Sequence, residues 1–438
     1  MSSKHLPEQS LRSVWHPCTQ MKQHETLPLV AIARGKGVWL YDYEGKRYLD
    51  AIGSWWVNLF GHTNARINAA LRDQLDRLEH VMLAGFTHEP VVQLSARLSK
   101  LVSGNLGHCF YSSDGASAIE TALKMSFHYW RNRGLPEKNR FVSLQNGYHG
   151  ETLGALSVTD VALFTDAYGP LLRHNARVPT PDWRHAAGGE SPREYAIRAA
   201  SALDAHLAEH HAETAALIVE PLVQGAAGMA MYHPEYLKLA RRICDEYQVH
   251  LIADEIAVGF GRTGTMFACE QANIVPDFLC LGKGLTAGYL PLSVVMTTDG
   301  VYRGFYHDKT ALGFLHSHTH AGNALACRAA LATLDIFEQD KIIDANRVTA
   351  DYLNKAVRPI TLHPKVKNFR NCGMIWAFEV ETSDPAFAAT FFQAALKQEL
   401  SLRPLGNTVY FMPPYVITQQ ELDFLVKGTL RVLDLCQK

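Results

Sequence analysis

No stretch of the 438 residues is apolar for long enough to span a bilayer. The opening residues, MSSKHLPEQSLRSVWHPCTQM, hold no apolar core of the kind a secretory signal needs. An excess of one charge sign is missing too. Lys and Arg total 42 against 43 Asp and Glu, for a formal net charge of −1. No basic field is therefore available to hold nucleic acid or an anionic membrane. The eight cysteines (Cys18, Cys109, Cys244, Cys269, Cys280, Cys327, Cys372 and Cys436) form no CxxC pair. Scattered among mostly apolar neighbours, they read as buried thiols of a reducing cytoplasm rather than as a disulfide framework. Internal repeats and low-complexity tracts are absent.

What is there is ordinary globular composition, with 47% hydrophobic and 19% charged residues. The length exceeds one ordinary core, so more than one packing unit is expected. Residues 1–64 read as a partly extended segment of a small domain. GVWLYDYEGKRYLDAIG alternates around Glu44-Gly45, the pattern of a hairpin. From 65 to 334, helical stretches such as ARINAALRDQLDRLEHVM and SAIETALKMSFHYWRNRG alternate with short apolar runs. That alternation predicts an α/β domain with a mostly parallel sheet covered on both faces. VPTPDWRHAAGGESPREY, rich in Pro and Gly, reads as a surface excursion. Residues 335–438 predict a second, α+β unit.

Two of the apolar runs end in charge. HLIADEI delivers Asp254 and FLCLGKG delivers Lys283, the only charge between Phe278 and Ser293. Ligands collect at the carboxyl ends of strands in such sheets. About two dozen residues separate Asp254 from the second run, room for a crossover helix. A buried lysine is easily neutralised and then condenses with an aldehyde. A buried aspartate stays ionised beside a cation. Pyridoxal phosphate offers an aldehyde and a protonated ring nitrogen. A plain Lys–Asp ion pair accounts for these two residues equally well.

Other stretches add to the pattern. In YSSDGASAIETALKM, the N–H groups of Gly115 and Ala116 open a helix and suit a phosphate, as many strand–helix turns do. In NGYHGETLGALSV, Tyr148 follows a strand and is placed either to stack on a flat ring or simply to pack. Gly282 and Gly284 would leave room for such a cofactor beside the backbone of Lys283. His316, His318 and His320 alternate in LHSHTHAG and would share one face of an extended strand. No acidic or thiol cluster accompanies them, so no metal is expected.

The ordered set SSDGASAIE, NGYHGETLGA, IVEP, LIADEIAVGFGRTG, PDFLCLGKGL and THAGNALA resembles the class III aminotransferases of PLP fold type I, over nearly the whole chain. The stretches VWHPCTQM, SWWVNLFGH, HVMLAGFTHEP, VEPLVQGAAGMAMYHPEYL and LRPLGNTVYFMPPY are similar to the biotin-synthesis branch of that class. Ala257, where many members carry Gln, agrees with that branch. The resemblance implies a seven-stranded, mostly parallel sheet in a large domain, a small α+β domain, and a homodimer with shared active sites. It implies that Lys283 binds the cofactor aldehyde and later shuttles the proton, while Asp254 pairs with the ring nitrogen. Tyr148 and Ile256 would take the two ring faces. Gly115 and Ala116 would hold the phosphate, joined by Thr319 of a second copy. Arg403 would grip a substrate carboxylate, for which its planar fork is suited. Trp55 and Trp56 offer apolar faces to a fatty chain, one of them being core. Glu151 and Arg262 would shape the polar end of the pocket.

Two positions depart from the relatives. Cys18 stands where many have a substrate-contacting Tyr, and His318 where Pro is common. With no base evident beside it, the Cys18 thiol reads as inert packing. The implied reaction is ping-pong amino transfer to 8-amino-7-oxononanoate with S-adenosylmethionine as donor. Lysine as donor, an ω-amino acid:pyruvate exchange, and a catalytically silent PLP-fold protein are the alternatives. Retention of both Lys283 and Asp254 speaks against the last.

Overall fold

The computed structural model describes residues 5–27, 29–102 and 104–436. The chain forms two compact units. One contains the residues up to Ala65, Val348–Phe369 and those from Trp376 onward; the other contains Arg66–Arg347 and Arg370–Ile375.

The larger unit is built on seven strands. Their order is His108–Ser112, Ser293–Thr297, Phe278–Leu281, His250–Asp254, Thr214–Val219, Arg140–Leu144 and Ala176–Val178. Only Ser293–Thr297 runs antiparallel to its neighbours; the remaining pairs are parallel. The central strands are buried along their whole length, as expected for a sheet covered on both faces. Helix Gly115–Asn132 lays Ala118, Ile119, Ala122 and Leu123 against this sheet. Asp114 caps it, accepting the Ser117 N–H at 2.9 Å.

Three local expectations give way. Between Asp254 and Phe278 there is no crossover helix, only turns and a 3-10 turn at Ala268–Ala272. Gly259, Gly261 and Gly264 make a helix costly there. Glu255 organises the loop instead, accepting the N–H groups of Ala268 at 2.6 Å and Cys269 at 2.8 Å. The helix beginning at Ala65 stops at Leu75, well short of the stretch that carried the pattern. The segment read as a surface excursion is at the surface from His185 to Glu194 but not at its start, where Thr180 and Asp182 are buried and Thr180 bonds to Gln224. Its end starts helix Pro192–His210, closed by a Ser191/Glu194 capping box.

In the smaller unit, Trp39–Asp42 and Arg47–Asp50 form the expected hairpin. Ile32–Lys36 extends it on one side. On the other, Leu400–Ser401 pairs in parallel with Arg47–Asp50, placing Ser401 beside Asp50. Ile375–Val380 is the middle strand of a three-stranded sheet, between Val366–Cys372 and Thr408–Phe411, and is antiparallel to the latter. Helix Gln419–Leu435 buries Leu422, Leu425, Val426, Val432 and Leu433 on one stripe, behind a Thr418/Glu421 capping box. Among the described residues, no helix is long and apolar enough to cross a membrane.

Candidate active site

Asp254 ends strand His250–Asp254 and lies opposite Cys280 of the parallel strand Phe278–Leu281. Lys283 follows three residues after Cys280, with a left-handed φ of 33°. Such backbone strain in a non-glycine residue is concentrated at functional sites. Burial lowers the pKa of Lys283, opposed by the charges of Asp254 and Glu220. Asp254 is 5% exposed. Its Oδ1 accepts the Ile256 N–H at 3.2 Å and its Oδ2 faces His149 Nδ1 at 2.8 Å. A carboxylate has about four acceptor sites, so room for another donor remains. His149 is itself buried, its backbone N–H donating to Thr159 Oγ1 at 3.0 Å, and its Nε2 has no partner.

Glu220, at the end of strand Thr214–Val219, completes the polar row. It accepts the N–H of Tyr148 at 2.9 Å through Oε2 and that of Gly225 at 2.9 Å through Oε1. Burial pushes its pKa up to about 7 against those two donors. His149 and Glu220 were missed in the sequence. For Glu220 the signal was available: it directly follows the apolar run Thr214–Val219, as Asp254 closes its own. His149 lies in the turn five residues beyond Leu144 and carries no such mark.

Gly115 and Ala116 open the helix after strand His108–Ser112, so their N–H groups have no partner within it. A Cβ on Gly115 would come within 3.0 Å of Ile256 Cγ2, and one on Gly282 within 3.2 Å of the same atom. The absence of a Cβ at Gly282 thus makes room for Ile256. Gly150, at φ 116°, brings its loop against Ala116; a Cβ there would sit 2.6 Å from Ala116 Cβ. This approach holds Tyr148 near the helix start. The Tyr148 hydroxyl donates to Glu151 at 2.9 Å and its ring meets Phe164 at 5.3 Å.

Other expected residues lie apart. Thr319 occupies an exposed turn, its carbonyl 2.9 Å from His80 Nε2. Among the described residues, no hydrogen bond joins it to Lys283, Asp254 or the Gly115 turn. The three histidines do not share a strand face. His316 meets Lys124 at 3.0 Å and stacks edge-on with His318, whereas His320 packs on His80. The segment is irregular because turns begin at Thr319. No group of three or more metal-ligating side chains occurs among the described residues. Arg262 is 1% exposed and its carbonyl accepts the Met374 N–H at 2.8 Å.

In the smaller unit, Trp55 and Trp56 part company. Trp56 is core, its Nε1 donating to the Tyr410 hydroxyl at 3.2 Å. Trp55 is 45% exposed and its ring centroid lies 5.6 Å from the Arg403 guanidinium. Arg403 Nη2 donates to the carbonyl of Cys18 at 3.2 Å, so the backbone of Cys18 orients it. The Cys18 thiol itself is exposed, which corrects the reading of it as packing; of the eight cysteines only Cys244, Cys269, Cys280 and Cys327 are buried. Gly53, Ser54, Trp55 and Trp56 all have positive φ, between 47° and 76°. For a non-glycine residue this conformation costs about 1–2 kcal/mol.

A buried lysine of lowered pKa, a carboxylate with acceptor capacity to spare, a helix N-terminus and an isoleucine face all lie in the larger unit. They fit pyridoxal 5′-phosphate at its aldehyde, ring nitrogen, phosphate and ring, respectively. The family model of class-III aminotransferases matches residues 20–433. The chain belongs to the class-III aminotransferases. This aminotransferase uses pyridoxal 5′-phosphate and is a transaminase. It is 45% identical to the adenosylmethionine-8-amino-7-oxononanoate aminotransferase of Helicobacter pylori, over 99% of both chains. The crystal structure of the enzyme of that name from Methanocaldococcus jannaschii matches with a TM-score of 0.93 at 34% identity, covering 99% of both chains. An amine transaminase from an uncultivated Pseudomonas species, solved in its PLP-bound form, matches with a TM-score of 0.91 at 32% identity. That match covers 97% of this chain and 99% of the other.

Proposed function

We propose that this aminotransferase transfers an amino group from S-adenosylmethionine to 8-amino-7-oxononanoate, giving 7,8-diaminononanoate for biotin synthesis. The single observation that carries the reading is the 45% identity over 99% of both chains with a relative of that name. The pairing of Trp55 with Arg403 accords with it. An apolar ring beside a guanidinium suits an aliphatic chain that ends in a carboxylate.

When bound, the cofactor supplies an electrophilic aldehyde and a ring that accepts carbanion electrons. Lys283 Nζ would hold that aldehyde and serve as the base that takes the proton from the donor α-carbon. Burial favours its neutral form for both tasks. Asp254 would hold the proton on the ring nitrogen, and His149 fixes the carboxylate that would do so. The Gly115 and Ala116 amides bind the phosphate, and Ile256 and Tyr148 confine the ring. Arg403 binds the acceptor carboxylate. The second half-reaction repeats these roles in reverse order on the keto acid. A homodimer, with Thr319 reaching the site of a second copy, accords with the exposed Tyr306 and Leu315 nearby. Eight free cysteines accord with the cytoplasm.

The decisive experiment mixes the holoenzyme separately with S-adenosylmethionine, lysine and β-alanine and follows the visible band of the cofactor. Conversion by S-adenosylmethionine, reversed on adding 8-amino-7-oxononanoate, is expected. Conversion by lysine alone establishes the other donor, and conversion by β-alanine with reversal by pyruvate overturns the biotin reading. Turnover by Lys283→Ala protein would overturn the mechanism.

A further inference from the structure

The Asp50 carboxylate is 1% exposed yet spends its acceptor capacity on a segment that reaches solvent. Oδ1 accepts the Ser54 N–H at 2.8 Å. Oδ2 accepts the Ser54 hydroxyl at 2.7 Å and His62 Nε2 at 3.0 Å. Ser54 starts the run of non-glycine left-handed residues that ends with Trp55 exposed and Trp56 buried. The chain has no local reason to adopt this conformation, so a tether must hold it. His62 is locked in turn. Its backbone pairs with Gly37 at 2.7 and 3.1 Å, and a Cβ on Gly35 would strike its ring carbon at 2.6 Å. Asp50 also lies beside Ser401, two residues before Arg403. The backbone pairing of these strand ends anchors Arg403, and the Asp50 side chain anchors the Trp55 turn.

We propose that Asp50 is a positioning residue for recognition of the amino acceptor: through Ser54 it holds the left-handed turn that sets the Trp55 ring beside Arg403. The inference rests on the reading above, in which Trp55 and Arg403 receive the acceptor. Asp50 touches no substrate. Its loss therefore acts on acceptor binding and spares the donor half-reaction.

The test compares holoenzymes carrying Asp50→Asn, Trp55→Ala, both together, and His62→Ala in both half-reactions. Asp50→Asn is expected to raise the acceptor KM by about tenfold or more, as loss of charge-assisted bonds does, with donor KM and kcat within about twofold. His62→Ala, which removes one bond of three, gives a smaller shift of the same kind and serves if Asp50→Asn fails to fold. In the Trp55→Ala background the Asp50→Asn penalty should vanish, because the two act through one ring. A penalty that persists there, or an equal rise in donor and acceptor KM, overturns the inference. An acceptor KM raised by Trp55→Ala but not by Asp50→Asn or His62→Ala overturns it while leaving the substrate reading intact. An acceptor KM untouched by Trp55→Ala overturns the substrate reading, and the inference with it.

Discussion

His149 Nδ1 lies 2.8 Å from Oδ2 of Asp254, and both side chains are nearly closed to solvent. A buried carboxylate with a lost donor carries an uncompensated cost of about 1–3 kcal/mol. His149→Leu should therefore weaken cofactor binding by roughly tenfold to a hundredfold. His149→Asn, which keeps an N–H donor, should recover part of it. Spectrophotometric titration of the apoenzyme with pyridoxal phosphate measures both; equal affinities in the two variants would show that the bond does not matter.

Replacement of Gly150 by Ala should be disproportionately harmful. The new methyl would lie 2.6 Å from Ala116 Cβ, on a backbone with φ 116°. Overpacking of this kind costs about 1–3 kcal/mol, with left-handed strain in addition. The Gly115 turn should shift, so phosphate retention should fall together with Tm. Dialysis of the holoenzyme followed by cofactor assay is the check.

His250 gives a pH dependence that owes nothing to catalysis. It is buried between Trp130 and Phe278, and burial lowers its pKa to about 4. The unfolded chain takes up this proton near the ordinary histidine value of about 6.5, before the folded chain does. Its contribution to stability is therefore complete above pH 6.5 and is lost as pH falls toward 4, on the order of 3 kcal/mol in all. A His250→Gln protein should show a shallower loss of urea stability across that window than the parent. Parallel curves would exclude the assignment.

Arg403→Ala should raise the KM for 8-amino-7-oxononanoate by about tenfold or more, because a charged hydrogen-bond donor to a carboxylate is lost. Arg403→Lys should restore only part, since the ammonium lacks the planar fork. The rate with S-adenosylmethionine alone, read by stopped flow, should change little in either variant.

Much of the larger unit was legible in the sequence because a parallel sheet writes itself as apolar runs that end in polar residues. Asp254 and Lys283 stood out as charges in such runs, and Gly115 followed from a strand–helix turn. Glu220 carries the same mark but was hidden inside a motif read for the family, whereas His149 sits in a turn beyond its strand and carries no periodic signal. The loop after Asp254 was misread because spacing alone cannot tell a crossover helix from glycine-rich turns stapled by Glu255. The division of labour between Trp55 and Trp56 was out of reach. It is set by a left-handed turn and by Tyr410, more than 350 residues away in sequence.

The parallel pairing of Leu49 with Leu400 imposes an order of assembly. Residues 66–347 form an uninterrupted stretch of the larger unit, able to condense while the ribosome is still at work. The edge of Arg47–Asp50 must wait for a partner about 350 residues downstream. At about 5–20 residues per second, that is a delay of about 20–70 s. Over that interval an unpaired strand edge is open to wrong partners, so chaperone dependence during synthesis should trace to the first 65 residues.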